Sequence, residues 1–171
     1  MSVETETIEP PIYIDNAGLV LLSPFLPHLF ERLDLLDGKS NPQVSDPDKR
    51  SRAVHLLQYL VTGQLDAPES GLALNRLLAG IPVSAAIASG IDASADDLEI
   101  CDSLLAATIG NWPIIRGTSR DGLRETFLQR EGRLRQLDER WLLTVQRKTV
   151  DVLVDQIPWG GAREYSTLSS I

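Results

Sequence analysis

An α+β fold, in which a mainly helical domain ends in a small C-terminal antiparallel β-hairpin or sheet, is what this sequence predicts. Three observations carry that expectation. Up to about residue 131 apolar residues recur at helical spacing between capping residues and Gly or Pro stops, and beyond Gly132 the period shortens to two. The third observation is size. A chain of 171 residues with 43% apolar and 23% charged side chains has the composition of one globular domain. Such a chain can bury about two-thirds of the surface its unfolded form exposes.

Taken in order, residues 1–11 carry Glu4, Glu6 and Glu9 and end in Pro10-Pro11, which reads as a disordered leader before an extended Ile12-Tyr13-Ile14. Asp15 and Asn16 can cap the apolar segment after them. Leu22, Leu26, Leu29, Leu33 and Leu36 fall at helical spacing, so a helix is expected from about residue 24 to 35, its prolines near the start. After a loop of turn formers, Ser45 or Asp46 followed by Pro47 opens a second helix that stops at Gly63. Ala53, Leu56, Leu57, Leu60 and Val61 form its apolar stripe, with Arg50, Arg52, Gln58 and Thr62 off it, the pattern of an amphipathic surface helix.

A short helix over residues 70–79 is stopped by Gly80 and Pro82. Ser94 with Asp97 three places on resembles a capping box, opening a helix to about residue 111 before Trp112-Pro113. Thr118 or Ser119 caps another, to residue 130. Trp141, Leu143 and Val145 then alternate, as do Val150, Val152 and Val154, which predicts the hairpin. The folded domain is thus expected over residues 12–159, with a flexible tail over residues 160–171.

Sixteen Lys and Arg against twenty-four Asp and Glu leave a formal charge of −8, which repels phosphate backbones, so no nucleic acid partner is expected. The basic stretch over residues 116–135 is interleaved with Asp121, Glu125 and Glu131 and reads as a solvated helix face. A lone Cys101 rules out an intrachain disulfide framework, and an acidic N-terminus is unlike a secretory signal; the reducing cytoplasm is the expected compartment. The most apolar stretch, residues 17–36, holds Pro24, Pro27, His28, Glu31, Arg32 and Asp34, too polar for membrane insertion.

Catalysis needs a constellation, and the candidates fall short. Gly117-Thr118-Ser119-Arg120-Asp121-Gly122 has its second glycine one place late for a nucleophile elbow, so Ser119 reads as a helix cap. Asp92, Ser94 and Asp96 begin like a calcium loop, but Asp97 stands where glycine is required and Ser103 where the bidentate Glu belongs. His28, His55 and Cys101 lack the paired spacing of a zinc site. Cys101 shares helical spacing with Leu98 and Leu105 and reads as core, and Asp151 and Asp155 read as solvated. No phosphate-cradling glycine loop occurs. The expectation is a chain with no catalytic residues, no metal and no cofactor.

Six segments together resemble one family. They are Tyr13-Ile14-Asp15-Asn16-Ala17-Gly18 running on to Pro24-Phe25-Leu26; Arg52-Ala53-Val54-His55-Leu56-Leu57-Gln58-Tyr59-Leu60; Leu74-Asn75-Arg76-Leu77-Leu78-Ala79-Gly80; Asn111-Trp112-Pro113; Gly122-Leu123-Arg124-Glu125-Thr126-Phe127-Leu128-Gln129-Arg130-Glu131-Gly132; and Lys148-Thr149-Val150-Asp151 through Ile157-Pro158-Trp159. Their order and spacing over residues 12–159 resemble the characteristic domain of the tape measure proteins of bacterial contractile injection systems, which are headless phage-tail-like particles. The resemblance implies a non-catalytic part of that particle, contacting tail tube, hub or spike, or cap proteins. It brings no catalytic residues.

Even fully helical, the chain would reach only about 260 Å, and its Gly and Pro punctuation excludes that form. The expectation is therefore a stand-alone terminal domain acting as an adaptor or assembly factor, or a truncated tape measure. Tail parts assemble through repeated contacts of one patch, so a homo-oligomer is expected. Candidates for the patch are Tyr13, Phe25, Phe30, Trp112 and Trp159, with core packing as the competing role for each. A small-molecule- or peptide-binding regulatory domain is the alternative, favoured by a pocket with convergent polar groups.

Overall fold

The structure, a computed structural model, describes residues 10–138 and 140–158. Trp159, the tail of residues 160–171 and the leader as far as residue 9 lie outside the described residues.

Three strands, β1 (Ile12–Ile14), β2 (Gly132–Leu137) and β3 (Arg140–Val145), form one antiparallel sheet in the order β1-β2-β3. β1 pairs Ile12 with Leu134 and Ile14 with Gly132; β2 pairs Gly132 with Val145 and Leu137 with Arg140. The hairpin turns tightly after Leu137, with Asp138 in the left-handed region at φ 54°. A hairpin is therefore present, but its strands are not the expected pair. Val150, expected with Val152 and Val154 on a strand, instead precedes the short helix α6 (Asp151–Val154), because the Asp151 carboxylate accepts the Lys148 N–H and the buried Arg130 guanidinium. Those bonds hold a helical turn where three alternating valines suggested a strand.

The helix expected over residues 24–35 divides. Residues Ala17–Phe25 wind as a 3-10 helix containing Pro24, and α1 (Leu26–Arg32) begins only with Pro27 in its first turn. Pro24 has no N–H for an α-helical bond and its ring crowds the carbonyl four residues back, which interrupts α-helical winding through residue 24. Asp34, at φ 58°, ends α1 in a Schellman-like turn in which Leu35 N–H donates to Phe30 O at 2.9 Å. The Asn16 side chain makes no cap. It is buried, donating from Nδ2 to Gln58 Oε1 (2.8 Å) and Asn75 Oδ1 (2.7 Å), while Asn75 donates to Val54 O.

Around this lie the helices whose ends the sequence marks. α2 (Pro47–Thr62) starts on the Asp46 carboxylate, which accepts from Asp48 and Lys49 N–H, and stops at a left-handed Gly63. It is no surface helix: Ser51, His55 and Gln58 are buried along with the apolar stripe, and α2 packs against α3 (Ala73–Leu78), α4 (Ala95–Gly110) and the π-helical stretch Arg124–Leu128. α4 has a complete Ser94/Asp97 capping box. Short 3-10 turns, Glu69–Gly71 and Pro113–Ile115, precede α3 and α5 (Arg120–Leu123) respectively, and α5 runs straight into the π-helical stretch. Gly18 lets the N-terminal 3-10 helix lie directly on that stretch, because a Cβ there would stand 1.8 Å from Phe127 O.

Candidate interface

The two faces of the sheet differ in kind. Ile14, Leu134, Leu143 and Val145 point into the main apolar cluster. On the other face the register sets Tyr13, Arg133 and Thr144 on one rung, Arg135 with Leu142 on the next, and Leu137 with Arg140 on the last. Tyr13 is 71% exposed, Arg140 is exposed, Arg133 and Arg135 are half-buried, and Leu142 is buried yet lies outside the main apolar cluster. None of these seven residues is acidic. Among the described residues no carboxylate pairs with Arg133, Arg135 or Arg140.

Two other arginines of the same stretch, Arg124 and Arg130, are buried and tie neighbouring elements together. The side chain of Arg130, only 1% exposed, donates to Thr126 O and to the Asp151 carboxylate, while its carbonyl accepts Ala17 N–H. Arg124 is also buried and donates to Leu60 O (3.1 Å), Tyr59 O (3.2 Å) and Asp121 (3.0 Å), with its guanidinium 5.2 Å from the centre of the Tyr59 ring. Gln129 donates to Val61 O. The stretch over residues 116–135 is thus not one solvated helix face. It is divided between buried clamps, Arg124 and Arg130, and a sheet face, Arg133 and Arg135.

The aromatic candidates are scattered. Phe30 is buried in the core and Trp112 is 1% exposed, its ring 4.8 Å from that of Phe127 and its Nε1 donating to Leu153 O. Neither presents its ring to a partner in this conformation. Phe25 is half-buried beside His28, Leu104 and Ala107 in a groove of ≈ 260 Å³ between α1 and α4, away from the sheet. Tyr13 belongs to the sheet face and also borders a cleft of ≈ 730 Å³ with Asp15, Gln58, Gln129 and Glu131. Tyr13 stands out in the sequence, whereas Arg133, Arg135 and Arg140 on the same face do not, because the charges of residues 116–135 read as one helix face and so hid the period-two spacing of Arg133 and Arg135.

The side chains with catalytic or metal-binding potential have structural surroundings. Ser119 accepts Gly122 N–H as a cap. His28 is exposed beside Glu31, whereas His55 is buried with Nε2 2.7 Å from Ala88 O. Burial, with Asp102 and Asp97 nearby, pushes the Cys101 thiol up to about 12, far from a reactive thiolate. Asp151 is buried and paired with Arg130, not solvated as expected; Asp155 is exposed, 3.8 Å from Arg147. Among the described residues no helix is long and apolar enough to cross a membrane.

The family model for contractile injection system tape measure proteins matches residues 2–162. This chain belongs to that family. No curated protein and no solved structure matches it. The matched region takes in the whole sheet and every described helix of this tape measure family member, so the match covers the entire described architecture.

Proposed function

We propose that this chain is a non-catalytic structural or assembly component of a contractile injection particle. In this reading it assembles in the cytoplasm and contacts tube, hub or spike, or cap proteins and copies of itself. The observation that carries this is the family match across nearly the entire fold. The use made of buried polar groups supports the non-catalytic part. Arg124, Arg130 and Asn75 spend their donors on backbone carbonyls and structural carboxylates or amides, which commits these side chains to holding the fold. Of the surfaces available, the sheet face with Tyr13 has the tyrosine and arginine content typical of contact centres.

Deleting the gene in the producing bacterium tests the reading. Electron microscopy of the purified particles should show them absent, or altered in length, and restored by the wild-type chain; particles unchanged in number and length would overturn it. The regulatory alternative draws on the polar cleft beside Tyr13 and Gln58. A metabolite that raises the melting temperature by mass action, alongside unaffected particles, would favour it.

A further inference from the structure

We infer that the outer face of the sheet docks an extended, acidic segment of a partner protein, with carboxylates at alternate positions; this rests on the assembly role proposed for the chain. Arg133 and Arg135 stand two residues apart on β2 and share their face with Arg140 of β3. Along a strand that spacing is about 6.8 Å, which is also the repeat of alternate side chains in any extended polypeptide. A segment laid along the face can therefore bring successive carboxylates to both arginines in register. All three cations are arginine. The planar guanidinium binds a carboxylate through two parallel hydrogen bonds, whereas lysine offers a point charge.

Charge complementarity points the same way. In a chain of formal charge −8, three cations gathered on one face without a described carboxylate form a local reversal of sign. The surrounding negative field opposes a long polyanion such as nucleic acid, while a short segment need only cover these rungs. Tyr13, exposed and paired with Arg133, supplies apolar contact beside the cations.

Binding of a labelled synthetic peptide of alternating glutamate and threonine to the full chain, followed by fluorescence anisotropy, tests the inference. The wild type should bind with an affinity that falls as salt is added, and R133S/R135S/R140S should bind at least about tenfold more weakly at an unchanged melting temperature. If the triple variant fails to fold, Arg140→Ser and Tyr13→Ser, at exposed positions, should each weaken binding. Equal binding by wild type and folded variants would overturn the inference, as would tighter binding of a single-stranded DNA oligonucleotide of matched charge. Particle incorporation separates this from the broader reading. A variant that loses the peptide yet enters particles at the wild-type level refutes the docking face alone, whereas a deletion without effect on particles refutes the assembly role.

Discussion

Asp151 holds its carboxylate among groups that keep it ionised. Burial alone would raise its pKa, but the Arg130 guanidinium and the Lys148 N–H outweigh that and bring it below the ordinary 3.8. A carboxylate with a depressed folded pKa contributes stability that is present above its unfolded pKa and is lost as pH falls through the folded value. Asp151→Asn should therefore cost about 3–5 kcal/mol at neutral pH, since it leaves Arg130 buried and unpaired. The same variant should be less sensitive to acid below about pH 4, because the group that titrates there is gone. Urea denaturation at neutral and acid pH checks both; a variant as stable as wild type at neutral pH would show that Asp151 does not hold α6 in place. This residue was illegible in the sequence for a physical reason. The valines around it are strand formers, and the partner that decides their conformation, Arg130, lies 21 positions away.

Among the elements, α2 shows how a helix end is completed from a distance. Of its last-turn carbonyls, Tyr59 O already accepts the Gly63 N–H and takes a second bond from Arg124, while Arg124 and Gln129, within and just after the π-helical stretch, fill those of Leu60 and Val61. Arg124→Met keeps much of the side chain's packing and removes those donors, so a loss of about 2–4 kcal/mol is expected. Hydrogen exchange localises the effect: amides near the C-terminus of α2 should exchange faster while those of α4 keep their protection relative to global unfolding. α2 and α4 were legible because their signals are local, Asp46 with Pro47 and Ser94 with Asp97. β2 was not, because on its core-side face only Leu134 is a large apolar residue, Gly132 having no side chain and Gln136 being exposed. At Gly132 a Cβ would stand 2.7 Å from Thr144 O and 2.9 Å from Ala17 Cβ, so close packing removed the side chain that would have marked the strand.

At the scale of the whole molecule, one apolar cluster joins the sheet, the N-terminal 3-10 helix and all the longer helices. Residues 12–159, the domain expected from the sequence, should accordingly unfold alone in one cooperative transition, within about 4 °C of the full chain, equivalent to roughly 1 kcal/mol or a little more. Circular dichroism and calorimetry on that shortened chain check it; two transitions would mean that the helices and sheet are separate units. Fold class and family were readable in the sequence because both rest on ordered local patterns. Which aromatics lie at the surface was not, since residue type leaves an aromatic free to be buried or exposed: Trp112 packs on Phe127 in the core while Tyr13 stands in solvent.

The pairing of Ile14 with Gly132 joins the two ends of the domain, and it sets an order of events during synthesis. β2 and β3 can zip locally once both exist, but β1 must wait for nearly the entire domain to be made and for a long loop to close. The rung of Tyr13, Arg133 and Thr144 is complete only after that last closure. A partner that reads this rung would therefore distinguish finished chains from nascent or misfolded ones, and the sheet would serve as a built-in inspection mark for entry into the particle.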